Sequence, residues 1–137
     1  MDILFVPYWC DDRHAQLRVR YCSQARAIEN QIFSATAGVI GNLPSVPAMD
    51  IHYGQASVFT HSDFEFARDG IQAIADSNVE TLLVTDIDTG DLYRSRASGS
   101  VTPRIDRRTD LFDFKLKLKN LDTSIELTDA PEIKLPK

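Results

Sequence analysis

Hydrophobic residues in the first third of the chain are spaced as in one strand followed by one helix. A continuous apolar run over residues 3–6 is typical of a strand buried on both faces, and we predict a strand over residues 2–8. Asp11 or Asp12 then offers a helix N-cap. Apolar residues next recur at steps of three and four, the spacing of one helical face: Leu17, Tyr21, Ala25, Ile28, Ile32 and Ala35. This pattern predicts a helix of about 25 residues that ends at Gly38 or Gly41.

The middle of the chain has the pattern of a connector, a strand and a second helix. Two prolines in residues 42–50 indicate the connector, and loose alternation over residues 51–60 favours a strand. Ser62 and Glu65 have the spacing of a capping box, in which each side chain satisfies an exposed amide of the other. We therefore predict a second helix that ends near Asn78, with a buried stripe of Phe64, Ala67, Ile71 and Ile74.

The last third of the chain has the pattern of strands. Residues 81–96 contain an apolar run, an acidic turn with a glycine and a second apolar stretch, which predicts a β-hairpin. Residues 97–110 lack apolar periodicity and are predicted to be a loop. Strict alternation over residues 111–119 predicts a strand with one solvated face. After a turn, residues 124–127 are predicted to pair back, and residues 128–137 to form an extended tail.

The predicted order of elements is β-α-β-α-β-β-β-β. This order is typical of an α+β fold, here a two-layer sandwich with two helices packed on one face of a mixed, mostly antiparallel sheet. The length of 137 residues favours a single domain over residues 1–137, which includes the tail.

Charge is distributed unevenly along the chain. The net charge is −5, but residues 94–119 carry +5, so the remainder carries −10. We call residues 94–119 the basic band. It is a candidate surface for a protein partner, for self-association or, less favoured, for nucleic acid. Its candidate binding residues are Arg94, Arg96, Arg104, Arg107 and Arg108.

Cysteine usage and hydropathy favour a cytoplasmic protein without a membrane partner. The two cysteines, Cys10 and Cys22, fit reduced thiols, and neither belongs to a CxxC motif. No apolar run approaches the roughly 18 residues that a membrane span requires. Three histidines, His14, His52 and His61, are scattered among the predicted elements without the spacing of a metal site.

The acidic turn at residues 86–91 contains residue types found in catalytic motifs. The apolar run before Asp86 and Asp88 resembles the first motif of haloacid-dehalogenase-like phosphatases, which implies a nucleophilic Asp86. Asp88, Thr89 and Gly90 resemble the aspartic-protease triplet. Aspartate and threonine also cap turns, and glycine accepts positive φ, so the same composition is typical of a hairpin turn. We favour the turn.

A longer catalytic pattern lies in residues 111–115. Two apolar residues precede Asp113, and one apolar residue separates Asp113 from Lys115. Strand alternation places both side chains on one face. The pattern resembles the second half of the PD-(D/E)xK nuclease signature, and the resemblance implies a Mg²⁺ site. Asp113 and Asp91 (or Asp88) would hold the metal, Lys115 would orient water, and Glu65 is a further carboxylate. The chain departs from that family because no proline precedes the candidate aspartates.

These patterns support three functional hypotheses. We predict a small, non-catalytic protein-interaction module without a cofactor, homo-oligomeric because the long helix carries surplus apolar residues such as Val19, Cys22 and Phe33. The alternative is a Mg²⁺-dependent nuclease that uses the Asp91, Asp113 and Lys115 set. The third hypothesis is nucleic-acid or acidic-partner binding through the arginines of the basic band.

Overall fold

The computed structural model describes residues 1–112. The described residues belong to two units, one over Met1–Arg107 and a second that begins at Arg108. The regular elements described all lie in the first unit. In chain order they are β1 (Ile3–Tyr8), α1 (Arg13–Asn30), β2 (Phe33–Gly38), β3 (Ser57–Phe59), β4 (Ile71–Ile74) and α2 (Thr89–Ser98).

The four strands form one sheet in the order β1-β2-β3-β4. β1 and β2 are parallel and are joined by α1, whereas β3 is antiparallel to both of its neighbours. α1 packs against β2 and β3. The predicted fold class, α+β with a mixed, mostly antiparallel sheet, is confirmed.

The core lies between α1 and one face of the sheet. Cross-strand register places Leu4, Ser34 and Phe59 in one row, and the buried Ser34 and Phe59 face inward. The largest fully buried side chains of the first unit include Phe59, Ile32 and Leu92.

The first helix begins where the sequence predicts but is shorter than predicted. Asp12 is its N-cap, and the Asp12 carboxylate accepts a 2.8 Å hydrogen bond from the amide of Ala15. The helix ends at Asn30 because Gln31 adopts a left-handed conformation with φ of 47°. The prediction of about 25 residues is wrong, since Ile32 follows the cap and Ala35 belongs to β2. The helical spacing of these two residues is incidental, because parallel pairing with β1 takes them into the sheet.

The predicted buried stripe of α1 is also shifted. The fully buried positions are Gln16, Ser23 and Ala27, whereas Tyr21 and Ile28 are exposed. Gln16, Ser23 and Ala27 are seven and four residues apart, so they share one helical face. The buried face of α1 is therefore formed by small and polar residues and not by the predicted apolar stripe.

The second helix was predicted from Ser62 to near Asn78, whereas α2 of the structure spans Thr89–Ser98. Residues 62–70 form turns, and the predicted stripe residues Ile71 and Ile74 lie in β4. The predicted hairpin at residues 81–96 is wrong, because residues 81–88 have no regular structure and α2 begins at Thr89. The acidic turn caps this helix instead of a hairpin, with the Asp88 carboxylate accepting a 2.6 Å hydrogen bond from the amide of Gly90.

Several predictions fall on residues that the structure does not describe. The predicted strand at residues 111–119 lies mostly outside the described part, as do the returning strand at 124–127 and the tail at 128–137. The single domain over the whole length stays a prediction. Within residues 1–112, no helix combines the length and the apolar character needed to cross a bilayer.

Candidate functional site

The carboxyl ends of β1 and β2 meet at one edge of the sheet, because the two strands are parallel. In open α/β sheets, ligands bind outside these ends at the point where the strand order reverses. Here the strand order runs without a reversal, so the parallel pair β1 and β2 alone makes this edge a candidate. Trp9 and Cys10 directly follow β1, and residues 52–55 lead into β3 beside them. We call Trp9, Cys10 and residues 52–55 the carboxyl edge and take it as the candidate site.

Hydrogen bonds fix the two parts of the carboxyl edge to each other. The hydroxyl of Tyr8 donates to the carbonyl oxygen of Gln55 and accepts from its amide, each at 2.9 Å. The amide of Tyr53 donates to the carbonyl oxygen of Cys10 at 2.7 Å. The side chain of Gln55 donates to the carbonyl oxygen of Ala75 at 2.7 Å, which ties the edge to the end of β4. The backbone around the site is therefore held on several sides.

Two glycines allow the backbone after β2 to touch the backbone before β3. A Cβ atom at Gly54 would lie 2.5 Å from the carbonyl oxygen of Val39, and one at Gly38 would lie 2.5 Å from the ring of Tyr8. Asn78 locks this crossing, since its side chain accepts from the amide of Gly54 at 2.9 Å. Only residues without a side chain fit such a close approach.

His52 is the most unusual side chain of the carboxyl edge. It is 5% exposed, and among residues 1–112 neither of its ring nitrogens has a hydrogen-bond partner. Its ring meets the ring of Trp9 in a T-shaped contact, with centroids 6.0 Å apart and planes at 89°. Buried polar atoms in folded proteins are almost always paired, so this imidazole calls for an explanation.

Cys10 is also buried at the carboxyl edge, but it is not an activated thiol. Burial raises the pKa of its thiol, and the nearby carboxylate of Asp11 raises it further. The thiolate is the reactive form of cysteine, so Cys10 is a weak nucleophile at neutral pH.

Away from the carboxyl edge, a cavity of about 280 Å³ has acidic walls. Its lining includes Phe33 and Phe66 together with four carboxylates, Glu65, Asp86, Asp88 and Asp91. The carboxylates named for the nuclease hypothesis within the described residues thus share one cavity. Nevertheless, no three histidine, cysteine or acidic side chains of the described part are grouped to hold a metal ion.

The nuclease set itself is only partly described. Asp91 lies in the first turn of α2, not in a strand, and pairs with Arg94 on the same helix. Asp113 and Lys115 lie outside the described residues. Their predicted catalytic roles stay a prediction.

Arg96 of the basic band holds the amino terminus of the chain. Its guanidinium forms a 2.6 Å ion pair with Asp2 and donates to the carbonyl oxygens of Gln31 and Met1, at 2.9 and 3.0 Å. The guanidinium of Arg96 and the hydroxyl of Tyr93 keep the pKa of the Asp2 carboxyl below its usual value. These contacts join α2 to β1 and to the end of α1.

Other arginines of the basic band also contact their own unit of the chain. In the first unit, Arg94 pairs with Asp91 and Arg107 pairs with Asn30, while in the second unit Arg108 pairs with Asp110. Burial lowers the pKa of Arg104, which also belongs to the first unit. Binding of a partner by this band stays a prediction.

Comparison with known proteins gives one informative relative. No family profile matches the chain, and no solved structure matches it. The chain is 48% identical over 115 residues to a protein of Bacillus subtilis (strain 168) named "Probable hydrolase YhcX". The aligned region covers 84% of this chain and 22% of the relative, so the chain spans about a fifth of that protein's length.

This similarity overturns the prediction of a non-catalytic protein-interaction module. The relative is 48% identical over the aligned region and is named as a hydrolase, which does not fit a module without catalytic activity. The physical basis of the oligomer prediction also weakens, because Phe33, one of the three surplus residues assigned to the long helix, is buried in β2.

Sequence reasoning missed the carboxyl edge because it missed β2. Had residues 33–38 been recognised as a strand, the chain would have read as a strand, a helix and a parallel strand. The residues just after the first strand, Trp9 and Cys10, would then have been placed at the ligand-binding edge. No sequence signal marked His52 as belonging beside them.

Proposed function

We propose that the chain is part of a hydrolase whose substrate binds at the carboxyl edge. The observation that carries this proposal is the 48% identity over 115 residues to a protein named as a hydrolase. Because the chain spans about a fifth of that relative, the activity is proposed for the whole protein that contains these residues.

The geometry of the carboxyl edge supports substrate binding there. Trp9 is 41% exposed and offers an aromatic surface, while the backbone beneath it is fixed by hydrogen bonds. Binding sites typically combine an apolar wall with a few well-placed polar groups. Trp9 supplies the apolar wall, and His52 supplies a polar group.

The described residues contribute to binding and orientation in this proposal. Cys10, the one buried thiol of the described part, is kept protonated by its surroundings and is a poor attacking group. We therefore assign the carboxyl edge the role of one wall of the site and assign no nucleophile to it.

A substrate panel tests the proposal. The full-length protein is assayed against chromogenic esters, amides and phosphodiesters, and the Trp9→Ala variant is compared with Tyr21→Ala. Tyr21 is a matched control, since it is an exposed aromatic residue on α1 outside the carboxyl edge. We expect kcat/KM to fall roughly tenfold or more for Trp9→Ala and to stay within about twofold for Tyr21→Ala. Absence of hydrolysis across the panel, or equal effects of the two variants, would refute the proposal.

A Mg²⁺-dependent nuclease is the second candidate, because it is itself a kind of hydrolase. The observation in its favour is that Glu65, Asp88 and Asp91 line one cavity. The candidate set remains Asp91, Asp113 and Lys115. Cleavage of DNA or RNA should require Mg²⁺ and disappear on chelation or in Asp113→Ala. Cleavage that persists with a chelator, or in that variant, rules this candidate out.

Two free cysteines fit a reducing compartment, and we propose the cytoplasm as the location of this hydrolase.

A further inference from the structure

The imidazole of His52 is buried without a partner at the place where a ligand is expected. Among residues 1–112 both ring nitrogens lack a hydrogen bond, and the side chain is 95% buried. A buried donor or acceptor that stays unpaired costs folding free energy. Such unpaired groups in native proteins call for a reason, such as a functional role.

The surroundings hold the imidazole in one place. The next residue, Tyr53, donates its amide to the carbonyl oxygen of Cys10, and Gly54 is locked by Asn78. The ring of Trp9 packs against one side of the imidazole. A side chain fixed in this way loses little conformational freedom when it binds, although a ligand reaches its buried nitrogens only when a covering group moves aside.

His61 offers a comparison, because it is buried in the same way but lies elsewhere in the fold. It is 1% exposed, and its ring nitrogens likewise form no hydrogen bond of good geometry among the described residues, although the backbone of Ile28 lies close enough to raise its pKa. It follows β3, whose Phe59 pairs with Ser34 near the beginning of β2. His61 therefore lies toward the amino ends of the parallel strands, opposite to the carboxyl edge.

From this placement we infer that His52 is a substrate-binding residue that donates a hydrogen bond to an acceptor oxygen of the substrate. The inference rests on the proposed hydrolase function. A neutral imidazole has one donor and one acceptor nitrogen, so one ring N–H is available for a carbonyl or phosphoryl oxygen. The bound substrate would satisfy the nitrogen that the protein leaves unpaired.

Two matched variants of the full-length protein test this inference, His52→Leu and His61→Leu. Each replaces a buried imidazole with an apolar side chain of comparable size. For His52→Leu we expect kcat/KM to fall roughly tenfold or more with an unchanged or higher melting temperature. For His61→Leu we expect kcat/KM within about twofold of wild type. His52→Gln, which keeps a donor, should recover part of the loss.

The possible results separate the inference from the function on which it rests. If the wild type hydrolyses a substrate and His52→Leu retains activity within about twofold, the inference is wrong and the hydrolase proposal stands. If His52→Leu lowers the melting temperature by more than about 5 °C and glutamine restores no activity, His52 is structural and the inference is again wrong. If the wild type hydrolyses none of the esters, amides and phosphodiesters, the proposed function fails and the inference falls with it.

Discussion

Burial favours the neutral form of two side chains, His61 and Cys10. Removal from water lowers the pKa of His61, although the carboxylates of Asp63 and Glu65 oppose this effect. Removal from water raises the pKa of Cys10. Both shifts have one cause, since a charged group loses more hydration than a neutral one. The folded chain is therefore built to hold these groups uncharged.

The buried imidazole of His61 should make the protein sensitive to mild acid. Its pKa in the folded state is below the unfolded value of about 6.5, so the folded state binds its proton less readily. The stability contribution is complete above about pH 6.5 and is lost as the pH falls toward the folded pKa, by at most about 1.4 kcal/mol per pH unit. Urea unfolding at about pH 7.5, 6.5 and 5.5 measures this loss.

The His61→Leu variant should flatten this pH dependence. The carboxylates with lowered pKa values, such as Asp2 and Asp63, lose their contribution at lower pH, below about 4. A matched control is His14→Ala, because the side chain of His14 is 91% exposed. An unchanged slope in His61→Leu would show that another group causes the acid sensitivity.

At the scale of elements, local signals predicted the parts of the fold that depend on neighbours in sequence. The apolar run of β1 and the N-cap at Asp12 were both found, because each is encoded within a few residues. β2 was missed because Ala35 continued the helical spacing by chance, and only pairing with β1 makes it a strand. The capping chemistry of Asp88 was recognised but assigned to a hairpin, since the same side-chain hydrogen bond serves a turn and a helix start.

The contact between the backbones of Gly38 and Gly54 should be the most sensitive point of the sheet. In Gly54→Ala the new Cβ atom would lie 2.5 Å from the carbonyl oxygen of Val39, a backbone atom that cannot rotate away. We expect a loss of about 1–3 kcal/mol or more in the free energy of unfolding, measured with urea. Since segment 52–55 must shift, the fluorescence of Trp9, the single tryptophan of the chain, should also change.

Gly41→Ala provides the comparison for this change. Gly41 has φ of +91° but open space around it, so alanine there introduces strain without a collision. Its cost should be about 1–2 kcal/mol, with unchanged Trp9 fluorescence. Equal fluorescence changes in the two glycine variants would mean that the crossing does not position the carboxyl edge.

At the scale of the whole first unit, the two faces of the sheet are covered unequally. α1 covers the face that contains Phe59. The cross-strand row of Phe5, Ala35 and Val58 lies on the opposite face, because alternate residues of a strand point to opposite sides. Phe5 is 72% exposed there among the described residues, whereas Phe59 is fully buried. The stabilising core of this unit is therefore one-sided.

This asymmetry predicts very different costs for removing two phenylalanine rings from the same sheet. Phe59→Ala deletes a ring from the interior and should lower the free energy of unfolding by about 3–5 kcal/mol. Phe5→Ala removes a ring that is mostly in water and should cost less than about 1 kcal/mol, because little apolar area leaves the interior. Urea unfolding of both variants, followed by circular dichroism, measures the difference. A loss for Phe5→Ala comparable to that for Phe59→Ala would show that the face opposite α1 is also buried in the folded protein, and that the core extends across both sides of the sheet.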